Sequence, residues 1–433
     1  MKCRLLPLTF AAILGISMPL AAAPKPRPVM RDFMGLCVHT VQFKPDLYAP
    51  VTRVVRDYHP MKWDVGEETD FVTKFPEARN RVDWGGMYGN WKKAGYRIDA
   101  CVMFDDLDQK AWRDPARDAF AYGKAFAKYF GPSGHDLTEA MEIGNEPGKY
   151  DDETYRKIFE QMARGAREGD PKLRIATCAA NLGKSGRYSK SVDCLSGLSS
   201  LYDIINIHIY PEVEGWPTWR RSYPEDPKIN FLRDLGHVLE WRDQNVPQKD
   251  VWLTEFGYDA STKPPPPSGD FAKWEGSTEQ QQADWIVRGY LMLAAKGADR
   301  AYLYFFNDDD EPHVHGSSGL TRKFQPKPAF YAVANLLKTL GDYRFASVVR
   351  EDLDAGFIHE YQSGSEPGKR IWVVWKPKGE PAEIRLPTAA GRILKAERGP
   401  VTKQPAEAVS WTADGATGAR IIAGETPVYL WLK

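Results

Sequence analysis

Two glutamates, each closing a short apolar run, are the residues in this sequence best placed to do chemistry. The first ends Met141-Glu142-Ile143-Gly144-Asn145-Glu146 before Pro147, and the second ends Val251-Trp252-Leu253-Thr254-Glu255 before Phe256 and Gly257. Each run reads as a buried strand that delivers a carboxylate at its C-terminal end, where parallel α/β folds gather ligands and reacting groups. Two carboxyl groups about 5–5.5 Å apart are what retaining glycoside hydrolysis requires. One must carry a proton for the leaving oxygen, and the other must be ionised to attack the anomeric carbon.

The elements that position these groups alternate between strand and helix. Strand-like runs fall at 33–38, 53–58, 97–104, 139–144, 173–179, 203–209, 251–254 and 300–306. Among the helical patterns, 152–167 is the clearest. Tyr155, Ile158, Phe159, Met162 and Ala163 form one apolar stripe, Asp151 or Asp152 offers a cap, and Gly169 lies just beyond the expected end. A second helix over 277–295 opens with Ser277 and Gln280 at capping-box spacing. Eight strand–helix units point to an α/β fold of the (β/α)8 TIM-barrel type. The first unit is the weakest, because Pro45 and Pro50 limit its helix to a turn or two. An open doubly wound sheet is the rival, although no Gly-rich phosphate loop supports a nucleotide-binding version.

Three long loops follow strands at the same end of the barrel, over 211–226, 258–276 and 307–325. Loops of this length are commonly lids or binding loops. From Tyr343 onward the pattern changes to short strands over 371–375, 382–386, 392–396, 408–412, 420–423 and 428–432, a β-sandwich-type module. The expected division is a signal peptide over 1–23, a catalytic barrel over 24–342 and an accessory module over 343–433.

Composition narrows the classes. Lys and Arg number 58 and so do Asp and Glu, so net charge gives no attraction to nucleic acid or to an anionic membrane. Lys2 and Arg4, an apolar run from Leu5 to Leu20 and Ala21-Ala22-Ala23 form an export signal, predicting a periplasmic or secreted protein. No later run reaches the roughly 18 apolar residues of a membrane span. Cys37, Cys101, Cys178 and Cys194 show no metal-type spacing. For Cys178 and Cys194, a disulfide and two free thiols both stay open. The 14 Trp and 20 Tyr fit either a large core or a cleft lined with flat rings for sugars.

Ile143-Gly144-Asn145-Glu146-Pro147 and Leu253-Thr254-Glu255-Phe256-Gly257 resemble the strand-four and strand-seven motifs of glycoside hydrolase clan A, a group of (β/α)8 retaining enzymes. By that resemblance Glu146 is the acid/base and Glu255 the nucleophile. His208-Ile209-Tyr210 resembles the clan's His-x-Tyr, whose Tyr hydrogen-bonds the nucleophile. Arg56 resembles its strand-two Arg, and Asn145 would hold the sugar 2-hydroxyl. Phe33-Met34-Gly35, Phe43-Lys44-Pro45, Tyr210-Pro211 and the C-terminal β module look most like family 39, with families 5 and 30 also similar. Strands four and seven lie roughly opposite one another around an eight-stranded barrel, so the two glutamates would face each other over its mouth. An ionised Glu255 would push Glu146 toward its protonated form, while Arg56 and Tyr210 would keep Glu255 ionised.

Other residues carry two readings each. Glu142, pointing inward by alternation, is expected to make a buried structural hydrogen bond rather than to react. His39 either reaches the deepest sugar or packs. Trp63 and Asp105 are candidate subsite walls, and Trp216, Trp219 and Trp274 candidate stacking platforms. Where many clan members end strand eight with a Trp beneath the sugar, this chain has Phe305-Phe306-Asn307, so either Phe306 substitutes or the sugar is placed differently there. The run Asn307-Asp308-Asp309-Asp310-Glu311-Pro312-His313-Val314-His315 has metal-ligand composition, but a solvated acidic rim loop is the expectation. The implied function is double-displacement hydrolysis of an equatorially, expectedly β-linked, oligo- or polysaccharide, in a groove or a closed pocket, with no cofactor. Transglycosylation at the same site and glycan binding on a degenerate barrel are the alternatives. Metal-dependent hydrolysis through His313 and His315 is a more distant one.

Overall fold

The computed structural model describes residues 25–70 and 73–433, so the export signal expected over 1–23 lies outside the described residues. Eight parallel strands close into a barrel: β1 Met34–Val38, β2 Val54–Pro60, β3 Arg97–Met103, β4 Ala140–Ile143, β5 Arg174–Ala176, β6 Ile204–His208, β7 Asp250–Phe256 and β8 Arg300–Leu303. They run around the barrel in chain order, with β8 hydrogen-bonded to β1. The outer helices are α1 Trp84–Lys93, α2 Pro115–Phe130, α3 Asp152–Gly169, α4 Phe231–Asn245, α5 Glu279–Lys296 and α6 Pro328–Leu340. Between β1 and β2 there is a single turn, Pro45–Tyr48, as the flanking prolines dictate. Among the described residues, the connection from β5 to β6 holds no α-helix, only a short parallel pairing of Ala180–Asn181 with Lys190–Ser191 and a 3-10 turn, Val192–Leu195. No helix among them is long and apolar enough to cross a membrane.

Side-chain alternation sorts each strand. Val54, Ala140, Ile204 and Trp252 belong to one apolar layer inside the barrel, together with Cys37, Ala176 and Tyr302. Two residues further along the same strands, Arg56, Glu142, Asn206 and Thr254 form a buried polar layer above it. Outward-facing residues join the helices in the main core, including the predicted α3 stripe, whose five members are all buried. Two helix ends differ by one or two residues from expectation. Helix α3 takes in Gly169 and is capped by Asp170, while α5 starts from a capping box made by Thr278 and Gln281. Ser277 is committed elsewhere, donating from its hydroxyl to the Asp259 carbonyl at 2.8 Å.

Beyond the barrel, β9 Tyr343–Arg350, β10 Phe357–Ser363, β11 Arg370–Trp375, β12 Ala382–Leu386, β13 Ile393–Arg398, β14 Glu407–Ala408, β15 Trp411–Asp414, β16 Gly418–Ala423 and β17 Val428–Leu432 make two antiparallel sheets. The larger is ordered β9-β10-β11-β17-β13-β14 and the smaller β12-β16-β15. Strands β9 and β10 are additions to the sequence-based list. Trp375 faces the barrel and belongs to its core, whereas Trp372 lies between the sheets, so both indoles are structural. A buried ion pair clamps the module on. Arg288 of α5 donates to Glu225 at 3.0 and 2.6 Å, and the Trp375 indole donates to the same carboxylate at 2.7 Å. All four described cysteines are free thiols.

Candidate active site

The two glutamates reach the mouth by different local devices. After β4 the chain turns at Gly144, whose φ of +85° is left-handed and suits glycine, and this swings Asn145 and Glu146 over the barrel. The turn is pinned from below, because Tyr155 of α3 donates to the Ile143 carbonyl at 3.1 Å. The Asn145 amide N–H donates to Asp105 at 3.2 Å. On β7, Trp252 and Thr254 point inward, so plain alternation would turn Glu255 outward. The pairing register slips between Ile207 and His208 on β6, which face Leu253 and Glu255 on β7. That bulge sets Thr254 and Glu255 on the same side and aims the carboxylate into the cleft. Gly257 follows, where a Cβ would lie 2.3 Å from the Tyr304 carbonyl oxygen and would force the ends of β7 and β8 apart.

The polar layer beneath them is a closed network. Arg56 donates to both oxygens of Glu142 at 2.8 and 2.7 Å, to Asn145 Oδ1 at 2.8 Å and to Glu255 Oε1 at 3.0 Å. Asn206 donates to Glu142 at 2.6 Å and accepts from the Thr254 hydroxyl. Glu142 is thus wholly spent on structure. With its carbonyl oxygen held by Arg56, Asn145 keeps its amide N–H groups for a ligand.

Glu255 is the more enclosed of the pair, with its side chain 8% exposed against 25% for Glu146. Tyr58 donates to its Oε1 at 2.7 Å and Tyr210 to its Oε2 at 2.8 Å. Burial alone would favour the protonated form. The charges of His208 and Arg56 and the two tyrosine hydroxyls outweigh it and bring Glu255 down to about 2. His208 stands between the carboxylates, its Nδ1 2.8 Å from Glu146 and 3.6 Å from Glu255. Burial opposes a charge on this imidazole, but Glu255 and the bond to Glu146 raise its pKa all the same. One carboxylate oxygen of Glu146, one of Glu255 and the His208 nitrogen lie within 4.8 Å of one another.

The structure brings Asn145, Glu146, Arg56, His208, Tyr210 and Glu255 into one constellation. His39 and Trp63 flank it, lining with Tyr58 a cavity of about 130 Å³. Burial holds His39 below its usual pKa, and Trp63 stacks on Trp84 at 5.9 Å. Asp105 lies under the Asn145-Glu146 turn and braces it, and burial raises its carboxyl to about 6. Trp216 stands on the rim, 69% exposed, while Trp219 is half-buried. Trp274 is buried with its ring over Gly276, so it presents no free face.

The burial of Trp274 overturns its expected role as a stacking platform, and two more expectations need correction. Phe306 is buried, edge-on to Tyr48 at 5.6 Å and His39 at 5.7 Å, and belongs to the core rather than to the sugar floor. Tyr304, two residues earlier, takes that strand-end position beside Tyr58 at 6.4 Å. The run 307–315 is not a solvated acidic loop. Asp308 is buried against Lys327 at 2.9 Å, Asp310 pairs with Arg322 at 3.1 Å, and His315 is carried inward. Its ring meets Tyr210 at 4.7 Å and Tyr304 at 5.1 Å. Sequence reasoning thus missed Tyr58, Asn206 and Tyr304, and it named His315 only as a candidate metal ligand on a rim loop. For Tyr58 the signal was available, since it lies two residues beyond Arg56 on the same face of β2.

No protein-family model matches this chain. No curated protein matches it either. Solved structures do. A family 39 glycoside hydrolase from the gut symbiont Bacteroides cellulosilyticus WH2 superposes with a TM-score of 0.69 at 18% identity, covering 94% of this chain and 83% of the other. A glucosidase from Croceicoccus marinus gives 0.63 at 11% identity, covering 94% and 97%. A family 30 endoxylanase from Clostridium papyrosolvens C71 gives 0.59 at 12% identity, with the same coverage, 94% and 97%. In its fold, then, this chain is a (β/α)8 barrel with a C-terminal β module, an architecture it shares with these solved glycoside hydrolases.

Proposed function

We propose that this protein is a retaining glycoside hydrolase that cleaves an equatorially linked, β-configured glycan through a covalent intermediate on Glu255. The observation that carries the proposal is the Glu146–Glu255 pair, with carboxylate oxygens within 4.8 Å across one cleft. That separation suits direct attack on the sugar and falls short of the about 6.5–9.5 Å at which inverting enzymes fit a nucleophilic water beside the sugar.

The environments divide the labour. Glu255, held ionised by Arg56, Tyr58, Tyr210 and His208, attacks the anomeric carbon as the bond to the leaving oxygen breaks. Glu146, more open to solvent, gives that oxygen its proton. In the second step Glu146 takes a proton from water, whose oxygen displaces Glu255 and restores the starting configuration. Asn145, its amide oriented by Arg56, offers its N–H groups to the 2-hydroxyl, where contacts strengthen in the transition state.

The test is turnover of aryl β-glycosides by wild type and Glu255→Ala, with and without azide. Loss in the variant, and an α-glycosyl azide on rescue, would support the assignment. Undiminished turnover by Glu255→Ala would overturn it.

A further inference from the structure

Among the described residues, His315 combines three properties that its packing does not use. Its Nδ1 is buried without a hydrogen-bond partner, although buried polar nitrogens are seldom left so. Its ring is wedged between Tyr210, which donates to Glu255, and Tyr304 at the end of β8. Its backbone is left-handed, at φ +66°, and the loop around it is fixed by the buried Asp308–Lys327 and Asp310–Arg322 pairs. A side chain held so firmly against the tyrosine that donates to Glu255, with nitrogen capacity to spare, is arranged to meet a ligand.

Its position says which part of the ligand. Strands β4 and β8 stand diametrically opposite in the barrel order. Asn145 lies at the end of β4, and His315 hangs from the loop after β8. In a six-membered sugar ring, C2 and C5 are also diametrically opposite. With C1 at Glu255 and the 2-hydroxyl at Asn145, the ring edge that bears the C5 substituent faces the β8 loop.

We infer that His315 is a specificity-determining residue that hydrogen-bonds an oxygen on C6, selecting hexopyranosides over the pentopyranosides that lack it. This rests on the proposed glycosidase function and adds the substrate class. Burial and the nearby Arg221 charge keep the His315 pKa below its usual value, so near neutral pH the imidazole offers one donor and one acceptor. A buried polar group left unpaired by the wrong substrate is a strong source of discrimination.

The experiment compares kcat/KM for stereochemically matched aryl glycosides that differ only at C5: β-glucoside against β-xyloside, and β-galactoside against α-L-arabinopyranoside. Wild type, His315→Ala and His315→Gln are measured, with thermal melts to confirm folding. The hexoside-to-pentoside ratio is expected to fall at least tenfold in His315→Ala and to recover in part in His315→Gln, whose amide again offers donor and acceptor. If both members of a pair slow by the same factor, His315 is only structural and the inference is overturned. Failure of the underlying function looks different: wild type would turn over neither member of either pair.

Discussion

Tyr58 donates its hydroxyl to Glu255 at 2.7 Å, on the oxygen opposite the one that Tyr210 holds. The carboxylate is therefore gripped from β2 and from the end of β6 at once, and its two oxygens are not equivalent. A hydrogen bond to an ionised group is worth about 1.5–3 kcal/mol. Tyr58→Phe should lower kcat/KM by about 10- to 100-fold. On the proposed mechanism Glu255 must be ionised to react, so activity is lost as pH falls through its pKa. Removing a donor raises that pKa, and the acid limb of the kcat/KM profile should move to higher pH. A limb that stays in place would show that Tyr58 does not tune Glu255.

Asp99 offers a test of stability rather than of rate. Both its oxygens are buried without partners, and burial, with the Glu142 charge, raises its pKa from 3.8 to about 7. The folded state therefore holds a proton that the unfolded chain gives up. The associated stability is fully present below pH 3.8 and lost as pH rises through about 7. Asp99→Asn should melt higher than wild type at pH 8, by up to about 4 kcal/mol of stability, with the difference shrinking toward pH 4. Melting curves at the two pH values check this, and a pH-independent difference would refute it.

Gly257→Ala probes the contact between the β7 and β8 ends. The added methyl would meet the Tyr304 carbonyl, so the strands must part. Overpacking of this kind costs about 1–3 kcal/mol. Because Glu255 lies two residues away, a displacement near 1 Å is enough to cost about 100-fold in rate. Chemical denaturation and kinetics on one preparation would reveal whether both losses occur.

Trp216→Ala tests the rim. An exposed side chain contributes little to the fold, so stability should change by no more than about 0.5 kcal/mol. If its indole stacks on a distal sugar, KM should rise for a polysaccharide and stay level for a short aryl glycoside. An equal effect on both would remove it from the binding surface.

Much of this arrangement was legible in the chain because it is local. Asn145-Glu146-Pro147 and Thr254-Glu255-Phe256-Gly257 mark strand ends, and period-two patterning places Arg56 and Glu142 inside the barrel. What escaped was set by partners distant in sequence. The bulge that redirects Glu255 is a relation between β6 and β7, invisible in either strand alone. Asp308 and Asp310 looked solvated because Lys327 and Arg322, which neutralise them, come later in the chain and fold back. Phe306 looked like a sugar floor because the point at which β8 ends could not be fixed within two residues.

The Glu225 knot has a further meaning for the chemistry. Glu225 closes the same loop that begins at Tyr210-Pro211 and carries Trp216, and it is bound at once by a helix of the barrel and by the Trp375 indole of the β module. The module is thus a strut for one wall of the cleft. A barrel severed near residue 342 would keep every reacting group and lose the indole that helps hold that wall, so the appendage and the active site are under a common mechanical constraint.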